Sequence, residues 1–185
     1  MMVDVQTIGV LVAAISVSIA AIYYVMTLRV QQKNMKHTLE TRQTQLFMQL
    51  LTLYDNKEFL KDFATTAYLT KYEDYNDWLR KYGPQTNLEH WASWARVGRF
   101  FDGTGILVKR NLVDADLVID EMREQIILTW DIVKPWVTGV REVMNSPNTW
   151  ENFEYLAGEA RRRNPGIKSV YDIREYESKV VGEAK

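Results

Sequence analysis

Residues 8–28 read IGVLVAAISVSIAAIYYVMTL. The run holds no charge, no proline and a single glycine. At ~1.5 Å rise per residue it spans roughly 31 Å as a helix, about the thickness of a bilayer's hydrocarbon core. It reads as a transmembrane helix, which makes the lipid bilayer the first expected partner. A cleaved signal peptide would begin with a base, carry a shorter apolar run of ~7–15 residues and end in small residues. Here MMVDVQT carries Asp4 and no base, and the run ends in Tyr23, Tyr24, Val25 and Met26.

The flanks set the expected orientation. Asp4 lies on the near side, whereas Arg29, Lys33, Lys36 and Arg42 face only Glu40 on the far side. Basic residues stay cytoplasmic. Residues 1–7 should therefore be extracytoplasmic, 8–28 the span, and everything from about 29 cytoplasmic, in a cell inner membrane. Tyr23 and Tyr24 suit the interfacial aromatic belt, and Arg29 can snorkel to the headgroups. Gly9, Ala13, Ser16 and Ala20 follow i, i+4, i+7, i+11 spacing on one face. Small residues let two helices approach closely in lipid. That stripe is either a packing seam for another copy or another membrane protein, or only the usual small-residue content of a span.

Beyond the span, about 150 of the 185 residues remain, enough for one domain with a core. Six Trp, ten Tyr and 46% hydrophobics argue against disorder. A net charge of −1 removes the electrostatic case for nucleic acid. No cysteine is present, so disulfides, thiolate metal sites and cysteine nucleophiles are excluded.

The chain after the span reads as all-α. No proline or glycine interrupts Val30 to Tyr54, so a juxtamembrane helix over 29–54 should continue the span. Met35, Leu39, Arg42, Leu46, Gln49 and Leu53 recur every 3.5 residues on average, a coiled-coil period with polar interruptions. They mark either a helix docking on its own domain or a parallel oligomer that continues the small-residue stripe. A helical domain of about five helices is expected over 55–166, with a loosely docked tail over 167–185. Asp55 to Glu58 reads as a capping box opening a helix over 56–70, with Phe59, Leu60, Phe63, Ala67 and Tyr68 inward. A short helix in EDYNDWLRKYG ends at Gly83-Pro84. LEHWASWARVGRFF, residues 88–101, has two apolar stripes and belongs at the centre. Gly98 within it should allow a close crossing, and Gly103 and Gly105 should break the helix. Asp114 caps a long helix over 115–144, bent near Ile132 by Pro135. Asn148 to Glu151 reads as a second capping box, opening a helix to Arg163.

Candidate chemistry is sparse. His90 follows Glu89, but no Glu-x-x-His spacing supports a metal site. His37 sits among bases near the membrane. Arg96 and Arg99, three apart on the central helix, suit either a small anionic ligand or salt bridges to Asp102, Asp114, Asp116, Asp120 or Glu124. Arg161, Arg162 and Arg163 complement a helix C-terminus. No phosphate-loop, dinucleotide or nucleophile-elbow motif occurs. No catalytic residue, cofactor or metal is expected.

The order of an apolar N-terminal span, a long juxtamembrane helix, RVGRFFDGTGILVKRNLVDADLVID, KPWV and WENFEYL resembles a family of small prokaryotic membrane-anchored helical proteins catalogued only as a domain of unknown function. The resemblance covers most of the chain. It implies this architecture and a prokaryotic inner-membrane setting, and it brings no activity. The expected function is a non-enzymatic interaction module, a scaffold or accessory subunit at the cytoplasmic face. The alternative is a membrane-tethered sensor of a small anionic ligand near Arg96 and Arg99.

Overall fold

The computed structural model describes residues 4–168 of the chain. The fold is all-α, with no strand among the described residues. Helix α1 runs unbroken over Val5–Tyr54. It is followed by α2 (Lys57–Ala64), a π-turn (Thr65–Leu69), α3 (Tyr75–Tyr82), α4 (Leu88–Lys109), α5 (Ala115–Val143) and α6 (Glu151–Arg163). The chain divides into two compact units at Thr44/Gln45.

The first unit is the long N-terminal part of α1, in which no described residue is buried. Its hydroxyls are satisfied within the helix: Ser16 donates to the Val12 carbonyl, Ser18 to Ala14 and Thr27 to Tyr23, each at 2.8–2.9 Å. That arrangement is what a helix needs where no water is available. By length and composition α1 can cross a membrane.

The second unit builds a core from one face of each helix. The end of α1 enters it: Leu50 and Tyr54 are buried, and Leu46, Phe47 and Leu51 pack against the core. Burial, with the Asp55 carboxylate next in weight, pushes the Tyr54 hydroxyl up to about 12. Helix α4 packs on α2 and α6, and α5 on α3 and α6. Val118, Met122, Ile126, Thr129, Val133, Val137 and Val140 are the buried α5 stripe, whereas Met144 lies past the helix end and is exposed.

Several local expectations need correction. The cap of α2 is Asn56, not Asp55; its side chain accepts from the Glu58 N–H. The helix expected over 56–70 gives way to the π-turn at Thr65, and the wider turn re-aims the following residues. Phe59, Phe63 and Ala67 are buried, but Leu60 and Tyr68 are exposed. Gly103 and Gly105 do not break α4, which continues to Lys109. The glycine serves a crossing instead: a Cβ on Gly105 would lie 2.1 Å from the Asn152 carbonyl oxygen of α6. At Gly98 the close neighbour is a side chain, the Trp150 ring, again 2.1 Å from an added Cβ.

The second capping box does not form either. The residue before α6 is Trp150, in the left-handed region at φ 52°, with no capping side chain of its own. The cap comes from α4: Asp102 Oδ1 accepts from the Asn152 and Phe153 N–H groups, both at 3.1 Å. A bulky residue at positive φ costs energy. The Trp150 ring recovers contact by filling the Gly98 notch and lying tilted against Trp136, ring centroids 4.7 Å apart.

Pro135 sits inside α5. In a regular helix the Trp136 N–H would bond to the Ile132 carbonyl. Here the Tyr72 hydroxyl bridges these groups, donating to Ile132 O and accepting from Trp136 N. The proline interruption is thus supported by a side chain inserted into the ladder. The expected tail from residue 169 onward lies outside the described residues; Ile167 packs against the core.

Candidate functional site

Two regions contain the residues singled out from the sequence. The first is the apolar part of α1. Gly9, Ala13, Ser16 and Ala20 lie on one face, and all four are exposed. A Cβ on Gly9 would meet nothing within 4 Å. Tyr23, Tyr24 and Arg29 are exposed on the following turns. The two stripes on α1 do not join. At ~100° per residue, Met35, Leu39 and Arg42 centre roughly 80° around the helix from the small-residue face. Underwinding to 3.5 residues per turn would widen that gap. A single parallel seam therefore cannot use both stripes.

The second region lies where α2, the π-turn and the first turns of α4 meet. Asn87 caps α4 by accepting from the His90 N–H at 3.0 Å. A cleft of about 230 Å³ is lined by Lys61, Thr65, Asn87, Glu89, His90 and Ser93. Asp62 sits beside it. Its Oδ1 accepts from the Ser93 hydroxyl at 2.7 Å and its Oδ2 from Arg96 at 2.9 Å. The partner of Arg96 is therefore on α2, not on α5 as anticipated. Of the anticipated acids, Asp102 caps α6 and Asp116 pairs with Arg163 at 3.2 Å. Arg99 is exposed and has no hydrogen bond or ion pair among the described residues. Arg96 and Arg99 do not form a joint anion site with a buried wall.

His90 is buried, with its ring stacked 4.0 Å from Tyr82. Its Nε2 lies 2.8 Å from Thr70 Oγ1. Thr70 spends its one proton on the Thr65 carbonyl, 2.9 Å away. The imidazole then donates from Nε2, which in the neutral ring is the Nε2–H tautomer. Burial holds its pKa below the usual histidine value. Although a serine, a histidine and an aspartate adjoin here, Ser93 gives its proton to Asp62, and the histidine uses Nε2 on Thr70. No serine–histidine pair exists for nucleophilic attack. No group of three or more potential metal-ligating His, Asp or Glu side chains occurs among the described residues.

Each arginine of the run has an ion-pair partner. Arg161 pairs with Asp131, Arg162 with Glu159 at 2.7 Å, and Arg163 with Asp116 and Glu159. These bonds, led by the one from Arg162, pull the Glu159 carboxyl down from its ordinary value. His37 is exposed beside Glu40 at 3.5 Å. Sequence reasoning missed Asp62, Thr70 and Tyr72, and assigned Asp102 to the arginines of α4 and not to the start of α6. Only Tyr72 had a signal, because a proline within a helix disturbs the backbone bonding around it and calls for polar groups from elsewhere.

No curated protein and no solved structure matches the chain. A family match spans residues 6–160, across the long helix and the packed domain alike. The chain belongs to the family described as Domain of unknown function (DUF4760).

Proposed function

We propose that this protein is a single-pass membrane-anchored interaction module, not an enzyme, with its helical domain at the cytoplasmic face of a prokaryotic inner membrane. The observation behind this reading is the first unit of α1. Its apolar residues cover every side of the helix and none of them is buried among the described residues; Val10 is 70% exposed and Val17 69%. An apolar surface on all sides of a helix suits lipid. The excess of bases after the span supports an N-terminus outside. Tethering would hold the domain in a thin layer and raise its effective concentration for a membrane-protein partner or a second copy.

The absence of cysteine makes the test clean, because an introduced cysteine is the sole thiol. Gln6→Cys should react with an impermeant maleimide on intact cells, and Asn148→Cys only after lysis. The membrane fraction should retain the chain through alkaline extraction. Release into the supernatant, or the reverse labelling pattern, refutes the assignment. The alternative, a sensor of a small anionic ligand, has one supporting observation: the exposed guanidinium of Arg99, which has no ion pair among the described residues.

A further inference from the structure

Residues 70–74 link the π-turn to α3 and are tied down along their length. Thr70 bonds His90 of α4 and the Thr65 carbonyl. The Lys71 backbone N–H and carbonyl both meet the Tyr82 hydroxyl at 3.3 Å. Tyr72 bridges the proline interruption of α5 and packs edge-on to Trp94 at 5.8 Å. Asp74 caps α3. His90 touches this strap twice, directly at Thr70 and through its stack on Tyr82.

We propose that His90 is a pH-responsive clamp: its neutral imidazole closes the 70–74 strap over α4 and α5, and its protonation releases the strap. The charges around the ring explain the direction. From α2, Lys61 lines the same cleft and Asp62 is engaged by Ser93 and Arg96. From α4, Glu89 is strongly exposed and turned to Lys61 at 3.9 Å. From α3, Tyr82 presents its ring, and Lys81 points to Asp77 and the Lys71 carbonyl. Lys71 on the strap adds another cation but no counter-charge. Among the described residues no carboxylate pairs with His90. An imidazolium would be a largely buried charge with no carboxylate opposite it, which favours its movement to water. Leaving the pocket breaks the Thr70 bond and the Tyr82 stack together. The strap then loses its polar link to α4, and Tyr72 is left as its main anchor, on α5 and against Trp94. Burial lowers the folded-state pKa of His90, so the folded state binds fewer protons than the unfolded chain. Its contribution to stability is complete above the ordinary histidine pKa of about 6.5 and lost as pH falls below it.

The test uses the full chain in mild detergent, with His37→Gln as the parent so that one imidazole remains. The His90 ring should titrate by NMR below the free-histidine value. Amide protection in 70–74 and 132–137, corrected for intrinsic exchange, should fall over the same pH range. His90→Gln keeps an N–H donor for Thr70 but cannot titrate. On acidification the parent's unfolding midpoint should fall about 2–4 °C further than that of His90→Gln. Equal acid sensitivity in the two proteins overturns the clamp. If His90→Gln does not fold, the parent decides: an ordinary titration, or one that leaves strap protection unchanged, also overturns it.

Discussion

A Cβ added at Gly9 would meet nothing within 4 Å, whereas one added at Gly105 would lie 2.1 Å from the Asn152 carbonyl oxygen. Both glycines sit inside long helices, and both belong to runs of small residues. In the first unit of α1 smallness is unused by the chain itself. In the domain, three helical glycines have another element lying against them, α6 at Gly105, Trp150 at Gly98 and Tyr75 of α3 at Gly139, whereas Gly103 and Gly158 meet nothing within 4 Å. The difference teaches that small residues in a helix mark potential close approach, and that only the rest of the chain shows whether the approach is already taken. The aromatic residues repeat the pattern. Tyr23 and Tyr24 face outward, while Trp78, Trp94, Trp136 and Trp150 form one interlocked cluster in the domain.

The most severe test of this contrast is a pair of single methylations. Gly105→Ala forces a methyl against backbone, which cannot rotate away. Overpacking of this kind costs about 1–3 kcal/mol. Gly9→Ala should leave the domain's stability unchanged and add slight helix propensity. Denaturant unfolding in detergent, followed by tryptophan fluorescence, reads both. A stable Gly105→Ala variant would mean that α6 is not held against α4 as described.

The second test breaks the seat of α6 without touching packing. Asp102→Ala removes the acceptor for two N–H groups at the start of α6, and losing a cap costs about 0.5–2 kcal/mol. Hydrogen exchange should accelerate first in residues 151–156. The third is smaller. Tyr72→Phe deletes the hydroxyl that bridges Ile132 and Trp136, at about 0.5–1.5 kcal/mol. Exchange should rise locally on the turn after Pro135. No equivalent bridge exists to be removed in the described part of the first unit, whose Ser and Thr hydroxyls bond to their own helix.

What was legible in the sequence follows the same divide. The N-terminal helix could be read directly, because its evidence is a period and a length, both local. So could the α5 stripe from Val118 to Val140 and its Asp114 cap. The errors fell where a residue answers to something distant. DGTG looks like a break because glycine is weak in helices; it is helical because α6 needs room at Gly105. Asn148 to Glu151 has the composition of a capping box, yet the cap arrives from Asp102, about fifty positions away. Arg96 was expected to reach acids on α5, and a register read from one helix cannot show that Asp62 lies nearer. In the candidate site, the ring of His90 bonds Thr70, which lies twenty residues upstream across the π-turn, an element with no signature in the sequence.

The smallest expected effect separates two arginines three residues apart. Arg96 is about half exposed and bonded to Asp62. Partly exposed pairs of this kind contribute roughly 0–1 kcal/mol, so Arg96→Ala should shift stability within that range. Arg99→Ala removes no hydrogen bond or ion pair among the described residues and should stay within about 0.5 kcal/mol of the parent. That silence makes Arg99 informative about function. A ligand that binds the native state must raise its unfolding midpoint. Thermal unfolding with inorganic phosphate or nucleotides should therefore show no shift if the chain is an interaction module alone. A shift that Arg99→Ala abolishes would instead favour the sensor, because that variant loses a cation without losing the fold. The domain would then resemble the first unit of α1 in one respect: a surface group left unmatched by the described residues and matched by something outside the chain.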